Sequence, residues 1–246
     1  MGQQRVALIT GGAKGIGRSL ALDLAAQGWS VGLCYRKSAQ EGEATRAAIE
    51  KAGGKGLSIK ADTADPKACE HLVQETVKAF GGVDVLIHGA GPYHMTDLFQ
   101  ETPEGWREMF DGNLHSFFYM SRLVAPLMKK NKWGRIIAFG MANADLGTAQ
   151  VKVTAHYIAK QGVLSLTRAL AKSLAPDGIT ANAISPGFIV SGSVPLEELQ
   201  PMVKTINNKQ VAFIASVDGI LYAINVSDGT NCWDTALNGG VNQSVT

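Results

Sequence analysis

Short apolar runs alternate with segments of helical period along most of the chain. Val6–Thr10, Ser30–Tyr35, Gly56–Lys60, Val83–His88, Arg135–Gly140 and Thr180–Ser185 have strand length and continuous apolar character. That pattern suits parallel strands covered on both faces rather than strands with one wet side. Between them, Ile16–Gln27, Gln40–Ala52, Pro66–Phe80, Pro103–Lys130 and Thr154–Leu174 read as helices. Asp65-Pro66 and Thr102-Pro103 put proline in a first helical turn, and Gly28, Gly53 and Gly178 fall where C-caps belong. Strict β-α alternation predicts an α/β fold: a doubly wound parallel sheet with right-handed crossovers. The pattern holds to about residue 190 and then weakens.

Composition narrows the class. With 46% apolar and 18% charged residues in 246, the chain can bury one large core, with room for a short appendage. Twenty-three basic against twenty-one acidic residues give a net charge of +2, which is no footprint for nucleic acid. No apolar stretch approaches the length of about 18 residues needed to span a membrane. The apolar run before the first glycines is too short for a signal peptide. Cys34, Cys69 and Cys232 form neither a disulfide framework nor a metal-type pair, so a cytoplasmic, reducing location is expected. His94, His115 and Met95 have no metal-ligand spacing, and no metal is expected. The 28 glycines exceed the usual share of about 7%. Surplus glycine marks tight turns and places where backbone approaches something closely.

One such place follows the first strand: Thr10-Gly11-Gly12-Ala13-Lys14-Gly15-Ile16-Gly17, running into a helix. Gly11 permits the turn, Gly15 admits a pyrophosphate to the backbone, and Gly17 allows helix and strand to pack closely. The helix N-terminus offers free N–H groups and the positive end of its dipole to phosphates. A strand–turn–helix setting makes this a dinucleotide-binding fingerprint, so the sheet is expected to be Rossmann-type. After the second strand an NAD site usually has an acid for the ribose 2′-hydroxyl; here the chain reads Tyr35-Arg36-Lys37-Ser38. Arg36, with Lys14, favours a 2′-phosphate, hence NADP(H).

With TGGAKGIG at 10–17, Asp62-Thr63, HGAG at 88–91, Asn113, Lys160 and Pro186-Gly187, residues 5–190 resemble the short-chain dehydrogenase/reductase family. The tenor is that of its acyl-carrier-protein and pteridine reductases. The resemblance implies NADPH-dependent reduction of a carbonyl such as a ketone or 3-oxoacyl group, by a homo-oligomer (dimer or tetramer). It also implies that Asp62 and Thr63 lie by the adenine and that Gly89, Ala90 and Gly91 lie above the adenosine. Lys160 would bind the nicotinamide ribose, Asn113 would anchor a proton-relay water, and Pro186, Gly187 and Ile189 would flank the nicotinamide.

Two catalytic positions depart from the family. Met141 stands where a serine holds the carbonyl oxygen, and a thioether cannot donate a hydrogen bond. The family's tyrosine precedes its lysine by four; here His156 does so, and Tyr157 precedes Lys160 by only three. At about 100° per residue, the first offset lands about 40° from Lys160 and the second about 60° to the other side. Either His156 or Tyr157 is therefore a candidate proton donor, with His156 facing the cofactor in ideal register. Asn143, Thr148 and Thr154 are candidate substitutes for the serine, or plain loop and cap residues. His88 replaces the family's usual asparagine, either near the adenosine or as a hydrogen-bonded buried residue. These departures leave a second reading open: an NADP-binding module, catalytically impaired, acting as a sensor or inactive subunit.

The tail is irregular. Residues 1–206 are expected to form the NADP-binding domain and 207–246 an atypical ending. Pro195–Ile206 reads as a lid helix, Val211–Ser216 as a final helix and Ala223–Gly229 as a last strand. Asp218–Asn225, with Asp228-Gly229-Thr230 and Trp233, alternatively resembles one blade repeat of a quinoprotein-type β-propeller.

Overall fold

The computed structural model describes residues 4–187 and, beyond them, four strands between 203 and 236. The chain divides into two compact units, Met1–Gly187 and Phe188–Thr246. The first contains β1 (Val6–Thr10), α1 (Gly15–Ala26), β2 (Ser30–Tyr35), α2 (Ala39–Lys51), β3 (Lys55–Lys60) and α3 (Pro66–Phe80). It continues with β4 (Val85–His88), α4 (Pro103–Phe110), α5 (Ser116–Lys130), β5 (Gly134–Phe139), α6 (Thr154–Leu174) and β6 (Ile179–Ile184). The strands form one parallel sheet in the order β3-β2-β1-β4-β5-β6. The order reverses between β1 and β4, which opens a crevice at the carboxyl ends of those strands. Register brings Cys34, Thr10, His88 and Ala138 side by side along that edge.

The continuous apolar runs exist because both faces are covered. Leu8, Leu86 and Ile136 pack with Leu72, Phe117, Met120 and Val124 on one side. Their strand neighbours Ala7, Ile9 and Ile87 point the other way, against Ala21, Ala25 and Ile49. The two proline starts behave as their sequence suggests. Asp65 accepts from Lys67 N (2.9 Å) at the start of α3, and Thr102 Oγ1 accepts from Gly105 N (3.0 Å) at the start of α4.

The segment expected as one helix over 103–130 is instead interrupted by a π-turn at Asp111–His115, between α4 and α5. Its cause is local. Asn113 Nδ2 donates to the Met109 carbonyl (2.9 Å), and Ser116 Oγ donates to the Gly112 carbonyl (2.6 Å). Polar side chains that bond the carbonyl four residues back loosen the regular ladder.

In the second unit β7 (Val203–Ile206), β8 (Lys209–Ala215), β9 (Ile220–Asn225) and β10 (Asn231–Ala236) form an antiparallel sheet ordered β10-β9-β8-β7. Val203–Ile206 and Lys209–Ala215 are strands where helices were expected. Val211, Phe213 and Ile214 favour extended backbone, and seven residues without caps make a poor helix. Because β7 pairs with β8, a division at 206/207 would cut through a hairpin. The rest of the expected lid helix lies outside the described residues.

Candidate active site

The glycine turn is built as its sequence requires. Gly11 has φ +69°, and a Cβ there would sit 3.0 Å from Gly89 and Ala90 backbone atoms, so the turn and the 89–91 loop are in direct contact. A side chain on Gly17 would strike the Gly11 carbonyl, which explains how α1 lies so close to β1. Gly15 (φ +55°) has no atom within 4 Å of where its Cβ would be. No acid occupies the first turn of α1, and no side chain caps it at Lys14. The bare helix N-terminus beside an open glycine is a cradle that fits a pyrophosphate. Lys14 is exposed at its rim and Ile16 half-buried.

Arg36 follows β2 at the mouth of a cleft of about 280 Å³ lined by Asp62, Pro92, Glu108, Asp111 and Gly112, among others. Its guanidinium reaches Glu108 Oε1 (3.4 Å) and, more loosely, Asp62 Oδ2 (3.9 Å). Asp62 also accepts from Ala64 N (3.1 Å), and Thr63 beside it is buried. Pro186 and Gly187 follow β6, with open space around Gly187. Ile189 lies outside the described residues.

Behind this cleft, His88 is fully buried and bridges two hydroxyls. Its Nδ1 is 3.0 Å from Thr10 Oγ1 and its Nε2 is 3.0 Å from Ser116 Oγ. Thr10 Oγ1 also accepts from Ala90 N (3.1 Å). The ring therefore ties β1, through Thr10, to the start of α5, through Ser116, and Thr10 in turn holds the 89–91 loop. Burial, and secondarily the Lys160 charge, push its pKa down to about 3. Of the two roles open for His88 in the sequence, this is the hydrogen-bonded buried one.

Around Lys160 the structure separates the two candidate proton donors. Lys160 Nζ donates to the Phe139 carbonyl (2.8 Å) at the end of β5, and burial lowers its pKa to about 8. His156, one turn earlier on α6, places Nδ1 3.2 Å from the Pro92 carbonyl and meets the Tyr93 ring edge-on. Burial first, then Lys160, lowers its pKa to about 4. Asn113 Nδ2 donates to the same Pro92 carbonyl (3.0 Å), so Pro92 joins Asn113 to His156. Asn113 Oδ1 is buried without a hydrogen-bond partner and lies against Gly91. Nothing in the sequence marks the Pro92 carbonyl as a hub, since backbone oxygens leave no signature.

Tyr157 turns away from this group. Its hydroxyl donates to the Asn143 carbonyl (2.6 Å) and accepts from Thr148 N (3.0 Å), with Thr148 Oγ1 at 3.1 Å. It anchors the loop between β5 and α6, packing with Ala144 and Leu164 beside Met141. Thr148 is thus engaged with Tyr157, and Thr154 Oγ1 donates to the Gln150 carbonyl (2.8 Å). Asn143 contributes its carbonyl from a left-handed backbone, φ 61°. Elsewhere His94 pairs with Glu101 (2.7 Å) and His115 with Asp111 (2.7 Å). Among the described residues no helix is long and apolar enough to cross a membrane.

Comparison with known proteins agrees with this geometry. The model of the short chain dehydrogenase family matches residues 5–200. A 3-oxoacyl-[acyl-carrier-protein] reductase of Synechocystis sp. is 35% identical over 203 residues, covering 82% of this chain and 81% of that protein. A short chain dehydrogenase of Burkholderia cenocepacia, solved in complex with NADP, superposes with a TM-score of 0.70 at 33% identity, covering 75% of each chain. An NADH-dependent reductase complexed with NAD superposes with a TM-score of 0.71 at 26% identity, covering 76% of this chain and 80% of that one. The β-propeller resemblance of the tail finds no support in these comparisons.

Proposed function

The chain belongs to the short chain dehydrogenase family of oxidoreductases, and from that premise we propose that it is an NADP(H)-dependent enzyme interconverting a carbonyl and its alcohol, with His156 as the proton-exchanging group. The carrying observation is the pairing of His156 and Lys160 on one face of α6, beside the crevice at the carboxyl edge of the sheet. The glycine turn and α1 N-terminus fit the pyrophosphate, and Gly89, Ala90 and Gly91 wall the site above it. Arg36 and Lys14 meet the 2′-phosphate, while Asp62 and Thr63 border the adenine. Lys160, on the Phe139 carbonyl, orients the nicotinamide ribose, with Pro186 and Gly187 on the far side. Bound nicotinamide dinucleotide supplies or accepts the hydride equivalent. Asn113 takes part through the Pro92 carbonyl, and Tyr157 holds the neighbouring loop. The Synechocystis relative makes a 3-oxoacyl thioester the first substrate to try.

Fluorescence titration with NADPH and NADH, alongside a carbonyl panel followed by NADPH absorbance, tests this reading. A 3-oxoacyl thioester, a quinone and a pteridine represent the substrate classes. NADPH should bind at least about ten-fold more tightly than NADH, and Arg36→Ala should remove most of that preference. Lys160→Ala should reduce turnover by about 100-fold or more. Equal affinity for the two nucleotides would sink the cofactor assignment, and silence across the panel would sink the reaction class.

A further inference from the structure

We propose that His156 is a proton acceptor: the Pro92 carbonyl pins its ring with the proton on Nδ1, leaving a bare Nε2 that takes the hydroxyl proton of an alcohol. This rests on the preceding reading of the site and deepens it. The resting enzyme is then the form that oxidises an alcohol, and carbonyl reduction draws on the minor imidazolium form.

The tautomer follows from what lies opposite each atom. A carbonyl oxygen carries no proton, so the Pro92–Nδ1 contact exists only if Nδ1 donates. A neutral imidazole has one N–H, so donation there empties Nε2. Among the described residues Nε2 has no hydrogen-bond partner. The Pro92 carbonyl is itself held in place. Asn113 Nδ2 faces two carbonyls, those of Pro92 and Met109, and must donate to both, so its amide cannot be turned over. The Gly112 Cα lies directly against the Pro92 ring, where a Cβ would strike it. The Tyr93 ring, edge-on at 5.1 Å between centroids, limits rotation of the imidazole.

Burial above all keeps the ring neutral, and the surrounding charges add to it. Lys160 faces it from the same helix, and His94 lies on the 92–101 segment. The Glu101 carboxylate on that segment is bound to His94, and Asp111 of the π-turn is bound to His115. Among the described residues no carboxylate is bonded to His156; the Pro92 carbonyl favours an imidazolium, but burial outweighs it and the pKa falls to about 4. A tyrosine hydroxyl in this place would carry its proton at neutral pH and act as an acid; a bare imidazole acts as a base.

The step balances as an alcohol oxidation. The O–H bond breaks, the Nε2–H bond forms, and the oxygen electron pair becomes the second bond of C=O. The carbinol hydrogen leaves with its electron pair to oxidised nicotinamide dinucleotide, the two-electron acceptor, and the imidazolium returns its proton to solvent.

Nitrogen-15 NMR of histidine-labelled protein, assigned against His156→Gln, tests the tautomer without cofactor or substrate. The expected spectrum at neutral pH shows a protonated Nδ1 and a bare Nε2, titrating near about 4. A protonated Nε2, or a midpoint near about 6.5, would overturn the proposal. Kinetics give an independent reading. Reduction kcat/KM should rise about ten-fold for each pH unit from about pH 8 down to about pH 5, with oxidation level over the same range. In H156Y the pattern should exchange, reduction becoming level and oxidation rising with pH. H156Q should lower turnover at least about 100-fold with NADP affinity unchanged. Reduction that is level in the wild type and indifferent to H156Q would refute the assignment. Failure to bind NADP(H) would instead overturn the preceding section, and the NMR result would still decide this one.

Discussion

A histidine as deeply buried as His88 is tolerated because it stays neutral and both ring nitrogens find partners. The protons of its chain are fixed from the two ends. The Gly112 carbonyl must accept from Ser116, and Ala90 N must donate to Thr10 Oγ1. His88 Nε2 therefore donates to Ser116, and Thr10 donates to Nδ1. With its pKa pushed down to about 3, His88 takes up a proton in the unfolded chain long before the folded one. Its contribution to stability is thus complete above the unfolded value of about 6.5 and is lost as pH falls toward the folded value, at about 1.4 kcal/mol per pH unit. His156, lowered to about 4, adds a similar slope over a narrower window. Urea unfolding of wild type and His88→Asn at about pH 7, 6 and 5 should show a clearly shallower acid dependence in the variant. Parallel curves would mean that His88 titrates alike in the folded and unfolded chain. The oddity of His88 is legible in the sequence, where it departs from the family asparagine. Its partners are not, because Thr10 lies 78 residues away and reaches it only through the pairing of β1 with β4.

At the level of elements, the sequence places the helices and strands of residues 5–184 well because periodicity, proline starts and glycine ends agree with one another. It fails where side chains override periodicity, as at the π-turn, and where a short apolar run is ambiguous, as at Lys209–Ala215. The first turn of α6 shows the same limit within the site. Helical geometry puts His156 and Tyr157 on either flank of Lys160 but does not say which flank meets the cleft and which meets the β5–α6 loop. The structure gives that loop to Tyr157, through Asn143 and Thr148. Removing its hydroxyl in Tyr157→Phe should cost about 1–2 kcal/mol by calorimetry. Turnover should stay within about five-fold of wild type, against the loss of about 100-fold expected for H156Q. A Tyr157→Phe enzyme as inactive as H156Q would show that the loop reopens and that the hydroxyl does the chemistry. Gly17→Ala is a harsher probe of α1. The new methyl would meet the Gly11 carbonyl and lie 2.9 Å from Gly12 Cα, rigid backbone that cannot step aside. About 1–3 kcal/mol of stability should be lost on denaturant titration, together with most NADPH affinity, whereas a harmless substitution would mean that α1 can slide along β1.

For the molecule as a whole, the crevice between β1 and β4 couples cofactor binding to the stability of the sheet around it. A ligand that binds only the folded state adds about 2.7 kcal/mol at 100 times its Kd. For a domain of this size that raises Tm by about 5–10 °C. NADH bound ten-fold more weakly should add about 1.4 kcal/mol at the same concentration, and so about half the shift. The margin between the two nucleotides is restrained by the site itself, because Arg36 already faces Glu108 at 3.4 Å and Asp62 at 3.9 Å. All three side chains are nearly half exposed, so each pairing is worth about 0.2–1 kcal/mol after solvent screening. Glu108→Gln should therefore release Arg36 toward the 2′-phosphate and tighten NADPH by up to about five-fold, leaving NADH unchanged. Differential scanning fluorimetry with both nucleotides measures every term at once. Equal strengthening of both by Glu108→Gln would show that Glu108 repels the pyrophosphate rather than competing for Arg36, and nucleotide choice would then have to arise elsewhere in the crevice.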